Sequence, residues 1–572
     1  MRDSEPSGQN RLLSIVMLLP FAALIFLSCR QVCAQAQSSE NPSTYTISGT
    51  VVNSLTREPI GRALAYSADE RYAAFTDDHG HFELTITSPT PDEMARFSEV
   101  VLQAKKPGFL PNQGADGRAS IRPTTKEVTL SLIPEALIVG QVKFPSSETA
   151  DQAQVVLYRR EVRDGFGRWE QLTEVRTRSN GEYRFAELRP GQYKLFTAEA
   201  VDRDPLASAP GGPMYGFPPR FFAEARDFAS ADVIELHPGE SFVANMAPDR
   251  QRYFEVKIPV MVPQPADWGV MVSVRAQGHR GPGFELGYDP NQHAIRGSLP
   301  NGTYMIEASS TGPAAATGAA NITIANGPVF GPAIALTANP RIEVNIRTQI
   351  SRQDGSQGMS APTAQVMLQS AEEYSSERGV GNLYQSQNSN PLTLDGVKPG
   401  RYWVQLQSSW SNNMYAASVT SGLTDLLRAP LVVPVGASVP PIEITLRDDS
   451  GEIEVTVEGA PEDPRGVTGS VSYSGPMPGQ AFGMMGGIFV YGLPVGEGGT
   501  VKWFNGRSNG KYILQQAPPG DYRVMAFDSS QEFEWRNLAA LQKYDSKGQV
   551  VHVTAGKTTQ VTLRLSGGAT GN

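Results

Sequence analysis

Residue types able to do chemistry are few in this chain and scattered along it. Gly506-Arg507-Ser508-Asn509-Gly510 matches the Gly-x-Ser-x-Gly hydrolase pattern, which needs its serine on a sharp strand-to-helix elbow within reach of a histidine and an acid. Strand-forming residues flank it on both sides, Val501 to Phe504 before and Tyr512 to Leu514 after, so the segment predicts a hairpin turn. Asp77, Asp78, His79 and His81 have the chemistry to hold zinc or a similar ion, since alternate residues of a strand share a face. Two side chains on one face make a weak site. The sequence reads instead as a turn at Asp77, Asp78 and Gly80 leading into a strand whose Phe82 and Leu84 face a core. His237, His279, His293 and His552 stand alone, with no helical zinc-protease motif and no phosphate-binding glycine loop. The expectation is a non-catalytic protein with no metal and no cofactor.

Binding chemistry is better represented. Strand alternation after Tyr402 directs Tyr402, Val404 and Leu406 inward and Trp403, Gln405 and Gln407 outward. A tryptophan face beside planar amides suits the apolar side and the hydroxyls of a sugar ring, and Trp410, Asn412, Asn413 and Tyr415 continue that composition. Trp403, Gln405, Gln407, Trp410 and Tyr415 are therefore the candidate carbohydrate-binding residues. The competing expectation is that Trp403 packs against a neighbouring domain or under the polar loop from Ser370 to Asn390. Pro213 to Phe222 forms an aromatic, proline-rich loop that binds a partner or caps a sandwich edge. Gly475 to Gly499, rich in glycine and methionine, is expected to be a mobile contact surface, with Ile488 to Tyr491 able to pair as a strand.

The elements that must position these residues are short runs of alternating apolar and polar side chains between Gly, Pro, Asn and Asp clusters; helix-period patterns are nearly absent. A bend followed by an aromatic strand recurs at Pro190-Gly191-Gln192-Tyr193, Pro300 to Tyr304, Pro399-Gly400-Arg401-Tyr402 and Pro519-Gly520-Asp521-Tyr522. Each copy reads as turn, strand, bend, strand. A second element, Ile234 and Leu236 then His237-Pro238-Gly239 then Phe242, returns as Val551 and Val553 then Ala555-Gly556 then Val561. These are expected to be closing hairpins. With 572 residues and roughly 100 per sandwich, the chain is expected to be all-β, a tandem array of about five Ig-like or transthyretin-like sandwiches. The expected domains are 46–133, 137–248, 251–338, 341–447 and 450–566. Short junctions between them favour a semi-rigid rod or arc.

The first unit lacks the bend but carries Tyr45 to Val52, Glu58-Pro59-Ile60, Thr76 to Leu84 and Lys106-Pro107-Gly108-Phe109. In that order these segments resemble the carboxypeptidase regulatory-like domain, a transthyretin-like sandwich of many exported bacterial proteins. Residues 137–248 and 450–566 are similar to the same group and to the B-type repeat of collagen-binding surface proteins. The resemblance implies carbohydrate or partner binding at most. It also raises the lysine-to-asparagine crosslink of B-type relatives, for which the second unit offers Lys143 and Asn245. The position two after Leu195 is Thr197 and not an acid, so both are expected to be ordinary strand residues.

Residues 1–36 read as a secretory signal peptide: Arg11, an apolar run from Leu12 to Leu27, then small residues before a cut after Ala34 or Ala36. Lipid attachment at Cys29 is the alternative. Cys29 and Cys33 both lie in this segment, so cleavage there leaves no thiol. The net charge of -9 is spread without basic blocks, which argues against nucleic acid and anionic membranes as partners. The expected protein is exported to the periplasm, cell surface or medium, with no membrane span in the mature chain. Its expected partner is a polysaccharide or an envelope protein, the alternative role being a structural spacer or protein-interaction protein. A third role, the start of an outer-membrane transport receptor, would require a plug and barrel strands, but the sequence continues with sandwich patterns.

Overall fold

The computed structural model describes residues 44–87, 100–112, 117–121, 125–144, 150–201, 213–225, 227–262, 269–276, 282–310, 315–350, 364–374, 384–385, 392–408, 414–458, 488–496, 502–503, 505–507, 511–527 and 531–566. Residues 1–36, expected from sequence to be a signal peptide and holding Cys29 and Cys33, lie outside them. Among the described residues the chain is nearly all β, with one short helix at Leu538–Leu541, and forms a tandem series of sandwiches in which sheets face each other across apolar cores. Period-two burial makes them: His81–Thr87 and Gly451–Glu458 alternate buried and more exposed residues along their whole length, the pattern of a strand with one face on a core. No helix among the described residues is long and apolar enough to cross a membrane.

Among the described residues one pairing recurs five times. The opening strand lies parallel to the closing strand of the same sandwich: Ser48 to Asn53 against Glu127 to Leu132, Leu137 to Val139 against Ser241 to Val243, Val256 and Lys257 against Val329 and Phe330, Val344 to Gln349 against Ile442 to Arg447, and Glu452 to Glu458 against Thr558 to Arg564. Parallel neighbours cannot be joined by a tight turn. The rest of each domain is therefore the crossover that connects them.

The repeated bend is one step of that crossover. Glu182–Leu188 pairs with the opening strand in one sheet, whereas Gly191–Thr197 belongs to the facing sheet. The same switch occurs between Ala294–Pro300 and Gly302–Ser310, Leu392–Leu394 and Gly400–Ser408, and Lys511–Ala517 and Gly520–Phe527. At each bend the buried tyrosine hydroxyl donates back to the carbonyl four residues upstream: Tyr193 to Arg189 (2.6 Å), Tyr304 to Pro300 (3.1 Å), Tyr402 to Lys398 (2.8 Å) and Tyr522 to Pro518 (2.9 Å). This is a tyrosine corner. The ring fills the core while its hydroxyl satisfies a main-chain carbonyl at the bend.

The closing hairpins expected from sequence are not hairpins. Ile234–Leu236 pairs with Gly191–Thr197, whereas Ser241–Val243 joins the opposite sheet beside Ala136–Gln141; Gln549–Val553 and Thr558–Arg564 divide the same way. These turns are arches between sheets. Both flanking strands send alternate apolar residues into one shared core, a pattern that alternation alone cannot tell from a hairpin.

The proline-rich loop caps an edge, and the edge belongs to the next sandwich. Met214–Phe217 pairs with Gln251–Met261 of the third sandwich and extends its sheet. Phe217 stacks on Phe144 with ring centroids 3.7 Å apart, and Arg250 lies 4.2 Å from the Tyr215 ring centre. Glu199 sits in this seam, one carboxylate oxygen buried, near Tyr253 and Glu285; burial pushes its carboxyl up from 4.5 to about 7.

Tyr402→Phe should cost its sandwich about 1 kcal/mol, read by calorimetry as a melting shift of a few degrees in one transition; an unchanged thermogram would show that the corner bond contributes nothing. For Glu199 the folded state binds the proton more tightly than the unfolded chain, so its contribution is intact below about 4.5 and is lost as pH rises through about 7. The stability advantage of Glu199→Gln over the parent should therefore grow between those pH values and then level off, as measured by denaturant melts. A pH-independent difference would exclude this ionisation as its origin.

Candidate functional site: a junction between sandwiches

A set of buried polar and aromatic groups lies where the second sandwich meets the fourth and fifth. Its centre is the hairpin of Gln154–Arg163 and Phe166–Arg176. Asp164 and Gly165 form its two-residue turn, both with positive φ (51° and 73°), the Asp-Gly chemistry of a primed turn. The hairpin is apolar on both faces. Val155 and Leu157 enter the sandwich core, while Val156, Tyr158 and Trp169 join Phe196, Phe221 and Phe228 in a second cluster that also takes Tyr374 of the fourth sandwich.

Hydrogen bonds fix this contact. Trp169 donates its backbone N–H to the Glu373 carbonyl (2.5 Å), Arg168 donates from Nη2 to the Ser370 carbonyl (2.7 Å), and the hydroxyls of Tyr158 and Tyr374 lie 3.4 Å apart. Lys194 donates Nζ to the Phe228 carbonyl (2.8 Å) beneath the Trp169 ring. Burial pulls both Arg168 and Lys194 below their usual basicity.

The fifth sandwich grips the hairpin tip. Arg160 makes a two-pronged ion pair with Glu534, Nη1 to Oε1 at 2.5 Å and Nη2 to Oε2 at 2.9 Å, which holds the Glu534 carboxyl below the ordinary range. Arg536 donates its backbone N–H to the Gly165 carbonyl (3.0 Å) and its Nε to the Asp164 carbonyl (2.9 Å). Its guanidinium lies 4.1 Å from the ring centres of both Trp403 and Trp535. Burial lowers its pKa to about 10. A Cβ added at Gly165 would overlap the Trp535 indole, so the tip needs glycine for space as well as for its positive φ.

Trp403 is therefore no open sugar platform. Alternation did point it away from the core that holds Tyr402 and Val404, but the outward face is covered: Trp403 is only 9% exposed, under Arg536. Gln405 donates its amide to Gln369 (2.5 Å). Tyr415 stands on the other sheet of the sandwich, buried, its hydroxyl on Asp449 (2.9 Å). Trp410 and the Gln407 side chain lie outside the described residues. The structure thus does not gather Trp403, Gln405 and Tyr415 into one surface.

The remaining candidates resolve into local structure. Asp77 Oδ1 accepts the backbone N–H groups of His79 and His81, both at 2.8 Å, and Phe82 and Leu84 are buried. Among the described residues no group of three His, Cys, Asp or Glu side chains is placed to hold a metal. Asn505–Arg507 pairs antiparallel with Lys511–Ala517; Ser508 between them lies outside the described residues. Lys143 and Asn245 are exposed, and Asn245 Oδ1 accepts the Gln141 N–H (2.9 Å). Thr197 is buried and accepts the Arg220 N–H (3.2 Å).

No family model matches the sequence, and no curated protein matches it. Similar solved structures include the Bacillus anthracis TIE protein, 11% identical, with 71% of this chain and 69% of that one covered and a TM-score of 0.15. The pilus adhesin SpaC from Lactobacillus rhamnosus GG is 14% identical over 52% of this chain and 43% of its own, with a TM-score of 0.17. A streptococcal ancillary pilin is 10% identical over 52% of this chain and 99% of its own, with a TM-score of 0.19.

The junction was not read from sequence, although a signal for it exists. Val155-Val156-Leu157-Tyr158 and Phe489-Val490-Tyr491 break the alternation with unbroken apolar runs, the mark of strands covered on both faces. In the fifth sandwich the second cover comes from Phe533 and Tyr544, packed on Tyr491 and Phe527. Arg160→Ala should weaken docking of the tip by about 2 kcal/mol. Amide exchange at Trp169 in the 154–176 segment and at Arg536 in the 531–544 segment, whose N–H groups bond across the junction, should then rise together by roughly 30-fold, with the Ile342–Gln349 strand unchanged. Exchange rising in only one of the two segments would mean that they do not open as a unit.

Proposed function

We propose that this protein is an exported, non-catalytic scaffold of the cell envelope that presents sandwich surfaces to protein partners in a set arrangement. The observation that carries this reading is the junction. The side chains best suited to ligand binding, Trp403, Trp535, Arg160 and Arg536, are engaged with one another or with main chain across sandwiches. Such groups fix one sandwich against another more than they serve an outside ligand. Export is supported by the apolar presequence. Kinship with the carboxypeptidase regulatory-like domain is supported by the order of segments in residues 46–133 and by the parallel closing strand there.

Glycan binding at Trp403 is the rival reading, and it requires Arg536 to leave the indole. Titration of a broad polysaccharide panel with the parent chain and Trp403→Ala separates the two. The scaffold reading expects no binding that depends on Trp403; saturable binding lost in the variant would overturn it in favour of a lectin-like role. Fractionation of the source cell with N-terminal sequencing tests export. Envelope recovery with a cut after Ala34 or Ala36 is expected, and an uncut cytosolic chain would remove the localisation.

A further inference from the structure

The junction has a topological property independent of any ligand. Arg160 and Glu534 are 374 positions apart in sequence, and Arg168 and Ser370 are 202 apart. The third sandwich lies inside both of these closed loops, and the fourth lies inside the larger. The first sandwich joins the second directly, Glu127–Pro134 being followed at once by Ala136–Gln141. The last strand of the fifth, Thr558–Arg564, leads to the C-terminal residues.

We propose that the junction is a tension bypass: a pull on the two ends passes from the second sandwich to the fifth through the hairpin tip, so that the fourth carries no load until the tip lets go and the third none until the contact of the second sandwich with Ser370 and Glu373 of the fourth has parted as well. The contacts suit such a part. At the tip they are polar and localised at the Arg160–Glu534 pair, the two Arg536 bonds to the turn carbonyls and the indole faces, so the tip can separate without unfolding any core. The cores of the second to fifth sandwiches are each continuous across two sheets, and each yields only as a cooperative unit. After release the folded third and fourth sandwiches tether the two halves, which keeps their effective concentration in the millimolar range and favours re-closure when the load falls.

Optical-trap pulling on the full chain, held at its two ends, tests this. Opening the junction should add a short extension, on the order of tens of ångströms for folded domains of this size. Unfolding one sandwich adds on the order of 300 Å. In the parent, the short extension should come before any long one from the third or fourth sandwich and should return on relaxation. In Arg160→Ala/Arg536→Ala it should be lost while the long extensions keep their number and length, which shows that the sandwiches still fold. To identify the shielded pair, Arg160→Cys/Glu534→Cys in a chain with Cys29→Ser and Cys33→Ser is bridged by a short bismaleimide; the long extensions of the third and fourth sandwiches should vanish, while those of the second and fifth shorten to the parts outside residues 160–534. The proposal is overturned if the parent shows no short extension, if either shielded sandwich extends before it, or if the double variant retains it.

Discussion

Everything in this molecule depends on the parallel pairing of the opening and closing strands of each sandwich. Because parallel neighbours need a long crossover, all intervening chain is committed to travelling between the two sheets, and the tyrosine corners and arches are where it crosses. The same pairing sets the connections. A closing strand runs in the direction of the opening strand beside it, so the chain leaves from the end opposite to its arrival and the next sandwich begins within a few residues, as from Arg447 to Gly451.

A second constraint acts on the few strands that have apolar residues on both faces. A sandwich covers only one face of each sheet, so Val156, Tyr158 and Trp169 on one domain and Tyr491 and Phe527 on another require additional cover. It comes from Tyr374 and from the 531–544 segment, and these bring charged groups into partial burial. Each buried cation then meets a carboxylate, a carbonyl or an aromatic face: Arg160 on Glu534, Arg168 on Ser370, Lys194 on Phe228, Arg536 between two indoles. Pairing of this kind offsets desolvation more than it adds stability, and its main effect is to select one docking geometry.

Much of the fold was legible because it is written in local rules. Alternation marked Tyr402, Val404 and Leu406 as inward, and the four bend motifs marked the points where a ring enters a core. The partner of each strand was less legible, since Val551 and Val561 alternate identically whether their turn stays in one sheet or crosses to the other. The surroundings of the candidate site were only half legible, for a related reason. Period-two reasoning states which way Trp403 points, but what covers it comes from Arg536, 133 positions away by the numbering of the chain. The rod or arc of consecutive domains missed the contacts between the second sandwich and the fourth and fifth for the same cause. Contacts between domains distant in sequence leave no periodicity, only unbroken apolar runs where alternation was due.

The hairpin tip carries one further consequence. Exposed two-residue turns are the usual places to graft a peptide tag, insert a reporter domain or open a circular permutant, because little beyond the turn itself is disturbed. Asp164-Gly165 has the sequence of such a turn, but both of its carbonyls are engaged by Arg536 and the glycine is walled in by Trp535. Chosen from sequence as a harmless insertion point, it would instead sever the fifth sandwich from the second.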